Sequence, residues 1–216
     1  MEIEITEDRR ILDGIEADDP KAIERAIAEG SDPNGKYNGF PVLFYAAKHD
    51  KVDCLRTLVE NGADPLAKDD MGYDALVGVK GEGSIDYLTE KGVNPQQAFF
   101  AAVEQSDFGT AEKLLDKGAK VNDLDENGQT ALHSFVAFGS VKAGMEENRE
   151  GLDMLLQRGA DPRTPNADGD LPGEFAYASG NDGLASRLGA ESSKLEAREL
   201  MSKRENVPRR QMEAGL

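Results

Sequence analysis

A glycine that stops an amphipathic stretch recurs five times, at Gly30, Gly62, Gly92, Gly118 and Gly159, in fragments such as EGSDPN, NGADP, KGVNP, KGAKVN and RGADP. The stretches before it, among them VDCLRTLVE, IDYLTE, TAEKLLD and GLDMLLQ, carry apolar residues at helical spacing. Glycine tolerates the left-handed backbone just past a helix, and a proline shortly after keeps the helix from resuming. The separations are 32, 30, 26 and 41 residues. A chain punctuated in this way is an array of similar helical units, each burying its apolar face against its neighbours.

A second fragment fixes what starts each unit. DENGQTALH (Asp125–His133) occurs almost whole once, and in pieces as KYNGFPVLF (Lys36–Phe44), DDMGYDALV (Asp69–Val77) and NADGDLPGE (Asn166–Glu174), with a polar tip and a glycine at the fourth place. A period of about 33, made of a turn and two helices with a T-P-L-H start, resembles the ankyrin repeat. The resemblance covers roughly residues 8–190, and its best match is Asp125, Gly128, Thr130, Ala131, Leu132 and His133, ending at Gly159, Ala160 and Asp161. It implies that Gly128 shapes a β-hairpin finger, Thr130 caps the first helix and His133 ties neighbouring repeats by hydrogen bonds. Elsewhere Pro41 and Asp74 stand at the threonine place and Phe44 and Val77 at the histidine place. Asp74 is suited to capping a helix. After Gly169, Leu171 and Glu174 replace the cap and the polar tie.

The expected fold is all-α: an ankyrin-repeat α-solenoid of about six helix pairs with short β-hairpin fingers, one finger missing and a C-terminal capping helix. The array is read over 1–190, in units of about 7–34, 35–65, 66–95, 96–122, 123–162 and 163–190, followed by a capping helix over 191–207 and a frayed tail over 208–216. Between Gly92 and Gly118 there is no room for a finger, which predicts a notch beside residues 96–104. Between Gly118 and Gly159 about eight residues are extra for the period, placed in an enlarged loop over Ser140–Glu150. Ile11, Leu12, Ile15, Ile23 and Ile27 face inward in a fingerless first pair, and Leu58, Leu88, Leu114, Leu115, Leu155 and Leu156 form the seam. The last pair is read as Phe175–Ser179 and Leu184–Leu188, adjoining a terminal helix over Ser192–Glu205.

Charge narrows the partner. Lys and Arg number 25 against 42 Asp and Glu, a net charge of -17; residues 191–216 carry six basic against five acidic side chains, which leaves -18 on the first 190. Such a surface repels nucleic acid and anionic membranes and speeds encounter with basic partners. MEIEITEDRR has neither the basic start nor the apolar middle of a signal peptide, and no apolar run reaches the roughly 20 residues of a membrane span, so a cytoplasmic location is expected.

Chemistry finds little purchase. DLDENGQTALHS (Asp123–Ser134) has the oxygens of a calcium loop at Asp123, Asp125 and Asn127, but Ser134 stands where the bidentate glutamate belongs. No metal or cofactor is expected. His133 is read as structural, Cys54 as a buried core residue, and His49 as exposed at a helix end. The acidic pairs Asp69–Asp70 and Asp168/Asp170 lie on tips, where nothing gathers them around a pocket. The chain is read as no enzyme.

By the same resemblance, binding uses finger tips and exposed first-helix ends: Tyr37, Asn38, Phe40, Lys48 and His49; Asp70, Met71 and Tyr73; Glu126, Asn127, Gln129, Ala137 and Phe138; Ala167, Asp168 and Asp170. Aromatics beside acids suit a protein with basic residues around an apolar knob. The expected function is a non-enzymatic binding protein, monomeric before binding, that masks a basic protein, most concretely a bacterial immunity protein neutralising a cognate toxin. The alternative is an intracellular adaptor or scaffold, or a host-directed effector, that joins proteins without inhibiting them.

Overall fold

The computed structural model describes residues 9–139 and 145–205. It forms two compact bodies, one ending at Lys120 and one beginning at Val121. Among the described residues the only paired strands are the two of one short hairpin, and nearly everything else regular is helix.

In the first body, α1 (Arg10–Glu16) and α2 (Pro20–Ala28) make the fingerless pair. Asp19 caps α2 by accepting the Ala22 N–H at 3.1 Å, and Pro20 opens the helix with φ already set. Ile11, Leu12, Ile15 and Ile23 are buried, whereas Ile27 is half-buried. Strands β1 (Lys36–Tyr37) and β2 (Phe40–Pro41) then lead into α3 (Val42–Lys48) and α4 (Val52–Glu60). Next come α5 (Glu82–Glu90), α6 (Gln96–Glu104) and α7 (Phe108–Asp116). Helix α5 borrows its cap: Asp50, in the loop after α3, accepts the Ser84 N–H at 2.7 Å. Gly81 makes the room, since a Cβ there would lie 2.0 Å from the Asp50 carboxyl carbon.

The third repeat departs from its expected pair. No first helix follows the finger at Asp69–Gly72; Ala75–Gly78 is a run of turns. Asp74 Oδ1 accepts the Leu76 N–H at 3.0 Å, an Asx turn, and Gly78 takes φ +84°. Two β-branched residues around a glycine, Val77-Gly78-Val79, add no helix propensity to oppose that turn. Leu76 and Val79 still reach the core, each 1% exposed. Burial raises the Asp74 carboxyl above its ordinary range, against the pull of the Leu76 amide. A raised folded value means that ionisation costs stability as pH climbs through it. Asp74→Asn, which keeps the acceptor and removes the charge, is therefore expected to be neutral or stabilising by up to about 1 kcal/mol at pH 7. That advantage should vanish below the ordinary value of 3.8, and Asp74→Ala should cost about 1–2 kcal/mol; urea unfolding at the two pH values measures both.

At each helix stop the glycine takes positive φ: 99° at Gly30, 98° at Gly62, 90° at Gly92, 105° at Gly118 and 89° at Gly159. Four residues after three of them, Gly30, Gly92 and Gly118, a side-chain amide clips the loop to the next one. Asn34 donates to Gly62 O at 2.9 Å and accepts from Asp64 N at 2.8 Å. Gln96 holds Lys120 O at 3.0 Å and Lys120 N at 2.8 Å. In the second body Asn122 holds Gly159 O at 2.9 Å and Asp161 N at 2.8 Å. At the same offset from Gly62 stands Leu66, 52% exposed.

The second body has α8 (Ala131–Ser134), continuing as a π turn over Phe135–Gly139, then α9 (Met145–Gln157), α10 (Pro172–Ala178) and α11 (Asp182–Glu205). The enlarged loop is corrected here: Met145–Glu150 belong to a 13-residue helix, and a π turn absorbs part of the excess. Ser140–Gly144 lie outside the described residues. The segments expected at Leu184–Leu188 and Ser192–Glu205 are one continuous helix, α11, with Asn181 capping it through the Leu184 N–H at 3.1 Å. Leu58, Leu88 and Leu114 in the first body and Leu155 in the second are fully buried, while Leu115 and Leu156 are half-buried. Consecutive helical residues point about 100° apart, so one of each pair turns off the core face.

Candidate functional site

The finger side of the first body holds the most developed surface. Asn38 and Gly39, with φ of 50° and 81°, make the tight turn that an Asn-Gly pair favours between antiparallel strands. The Arg9 guanidinium stacks 4.9 Å over the half-buried Tyr37 ring and donates to its hydroxyl at 2.5 Å. Tyr45 Oη donates to Tyr37 O at 2.9 Å, which fixes the hairpin on α3. In the next finger Asp69 Oδ1 accepts from Met71 N and Tyr73 N, both at 2.9 Å. Lys36 Nζ joins the two fingers through Asp70 at 2.5 Å. The acids of this site are thus already engaged with backbone amides or a lysine. Large apolar side chains stand exposed among them: Met71 at 76%, Phe40 at 41% and Tyr73 at 38%.

Behind Phe40 the missing helix of the third repeat leaves a groove of about 260 Å³, lined by Phe40, Phe44, Tyr45, Lys48, Ala75, Val77 and Gly78. Of the residues proposed from sequence, Phe40 and Lys48 line it, Met71 and Tyr73 stand exposed on the neighbouring finger, and His49 is exposed past the end of α3. Phe44, Tyr45, Ala75, Val77 and Gly78 escaped the sequence reading. Their signal was the VGVKG run at 77–81, which cannot sustain the helix that would fill this space. Beside residues 96–104, where the notch is expected, a crevice of about 10 Å³ runs along Ala98 and Ala102.

In the second body the fingers Asp125–Gln129 and Asn166–Asp170 close in the same manner. Asp125 Oδ1 accepts from Asn127 N at 2.8 Å and Gln129 N at 2.7 Å, and Asn166 Oδ1 from Asp168 N at 3.0 Å and Asp170 N at 2.9 Å. Glu126, Asn127, Ala167, Asp168 and Asp170 are exposed and Gln129 and Ala137 are half-buried, with Phe138 47% exposed on the π turn. His133 is fully buried between Thr130 Oγ1 at 2.7 Å and Asp170 O at 3.0 Å. The carbonyl requires a proton on Nε2, so Nδ1 accepts from Thr130, and burial pushes the imidazole below its ordinary pKa. The tie between repeats implied for His133 is present. Thr130, by contrast, makes no side-chain cap to the helix, because its hydroxyl orients the histidine instead.

Cys54 is buried and donates to Asp18 Oδ1 at 3.6 Å; burial, with that carboxylate, pushes its pKa up to about 11, so it stays a thiol. Among the described residues no three His, Cys, Asp or Glu side chains are placed to hold a metal ion. No described helix is long and apolar enough to cross a membrane.

Comparison with known proteins agrees with this anatomy. Residues 38–70 match the family model for the ankyrin repeat, and residues 99–144 match the one for ankyrin repeats in many copies. Ankyrin repeat and SOCS box protein 6 of Homo sapiens is 29% identical over 136 residues, covering 60% of this chain and 27% of that protein. Neurogenic locus notch homolog protein 2 of Homo sapiens is 28% identical over 130 residues, covering 55% of this chain and 5% of that one. The chain therefore spans about a quarter or less of the curated relatives it matches. The solved ankyrin repeat protein EF0377 superposes with a TM-score of 0.62 at 18% identity, over 84% of this chain and 96% of that one. The ankyrin repeat domain of Bcl-3, a member of the IkappaB protein family, gives 0.60 at 22%, over 77% and 76%. At these identities the two structures establish the fold. The chain thus carries ankyrin repeats in the two matched segments and has the fold of ankyrin repeat proteins, and ankyrin repeats are protein–protein interaction modules.

Proposed function

We propose that the chain is a non-enzymatic binding protein that masks a basic protein partner. The observation that carries this reading is an apolar groove beside exposed Phe40, Met71 and Tyr73 on a chain of net charge -17. The two features divide the labour. Aromatic and aliphatic side chains in a pocket supply most of the affinity, while distributed charge sets the rate of encounter. Since Asp69 and Asp70 are engaged, attraction for a cationic surface comes from the whole body at long range. The most concrete form is an immunity protein that neutralises a co-produced toxin from the cytoplasm, without cofactor or nucleic acid, and monomeric until bound. Expression should then rescue cells from a toxic neighbouring gene product; absence of rescue at good expression sinks that form. For the purified pair, Phe40→Ala with Tyr73→Ala should weaken binding by about 10- to 100-fold, chiefly through faster dissociation. Added salt should slow association, and an on-rate indifferent to salt removes charge from the mechanism.

A second reading has one observation of its own. The chain matches a quarter of a protein whose name joins ankyrin repeats to a SOCS box, an arrangement in which the repeats are one part of a larger chain. In that reading it is an adaptor, a scaffold or a host-directed effector, and binding leaves the partner's activity unchanged.

A further inference from the structure

A second cavity, of about 750 Å³, lies wholly within the second body, at the end of α10 away from its finger and against the first half of α11. Phe135 and Leu152, each 1% exposed, form its base, and half-buried Leu184 forms a wall. Its rim is net cationic, with Arg149, Arg187 and Lys194 against one lining acid, Glu191. That sign is the reverse of the protein's: the first 190 residues carry -18. Arg187 pairs with Asp153, and Lys194 with Glu191 at 2.6 Å. Arg149 is exposed and has neither an ion pair nor a hydrogen bond among the described residues.

We propose that this groove receives a short acidic segment of a protein partner, with an apolar side chain seated on Phe135, Leu152 and Leu184 and carboxylates paired to Arg149 and the neighbouring cations. The volume lies within the roughly 300–1,000 Å³ of sites that orient a ligand by a few polar groups. A free guanidinium matches a carboxylate in a bidentate fork, a geometry that an ammonium cannot reproduce. The acidity around the groove sets the length of the occupant. An extended polyanion such as nucleic acid would be repelled beyond the cationic rim, whereas a few acidic residues fit within it. The groove thus selects a chemistry opposite to that proposed for the fingers, and stands without it.

The test uses the isotopically labelled full chain, titrated by nuclear magnetic resonance with the acetylated and amidated peptide Asp-Glu-Leu-Phe-Glu-Asp and with its amide twin Asn-Gln-Leu-Phe-Gln-Asn. The acidic peptide should shift the amides of Phe135, Leu152 and Leu184 saturably. The twin should bind at least about tenfold more weakly, as should the acidic peptide to Arg149→Glu, with the unfolding midpoint of that variant unchanged. Phe40→Ala should leave the titration as it is, so a failure here is separable from a failure of the finger site. Four results overturn the proposal: no saturable shifts, equal binding of the twin, binding indifferent to Arg149→Glu, or self-association of the chain that this variant abolishes, which would make a second copy the occupant.

Discussion

Phe99→Ala should lower the stability of the first body by about 3–5 kcal/mol, read as a fall in the urea midpoint. Phe99 lies on α6, is 0% exposed and meets Phe100 with ring centroids 5.5 Å apart. Its repeat has no finger, so Gln96 and the apolar face of α6 carry the registry that a hairpin shares elsewhere. The ring is enclosed by elements fixed through backbone ladders and the Gln96 clip, which cannot collapse fully into the space it leaves. Phe99→Leu, which fills most of that volume, should recover the larger part of the loss.

Gly128→Ala should cost about 2–4 kcal/mol in the second body, for two separable reasons. The backbone there has φ +73°, where a side chain costs about 1–2 kcal/mol. A Cβ would also lie 2.3 Å from the Ala167 Cβ, and the finger cannot slide away because Ala167 N donates to Gly128 O at 2.8 Å. Removing the opposing methyl distinguishes the causes. In Gly128→Ala with Ala167→Gly the nearest remaining contacts are 3.5 Å, ordinary for a methyl, so the double variant should recover the steric part and retain the conformational part. A double variant as unstable as the single one would place the whole effect in the backbone.

Helix ends were legible in the sequence because their cause is local: a positive φ needs glycine whatever surrounds it, and Gly30, Gly62, Gly92, Gly118 and Gly159 all take one. His133 was legible for a related reason, since the motif that places it also places its partners. The collapse of the third repeat's first helix was not read, because Asp74 caps helices and Asx turns alike and only the following glycine decides. That lapse hid Phe44, Tyr45 and Val77 as groove walls. The amides of Asn34, Gln96 and Asn122 shared a fixed offset from their glycines, a signal without meaning until the facing loops are located. The second cavity draws residues from the π turn after α8, from α9 and from α11, and no window of sequence contains it.

The row of amide clips skips one step. Leu66, at the same offset from its glycine, has a hydrocarbon side chain where Asn34, Gln96 and Asn122 each have an amide that grips two backbone groups of the following loop. In a repeat array whose stability is the sum of repeats and nearest-neighbour junctions, one lightly fastened junction is where partial opening starts. The protein thereby has one hinge pin left out, inside its first body.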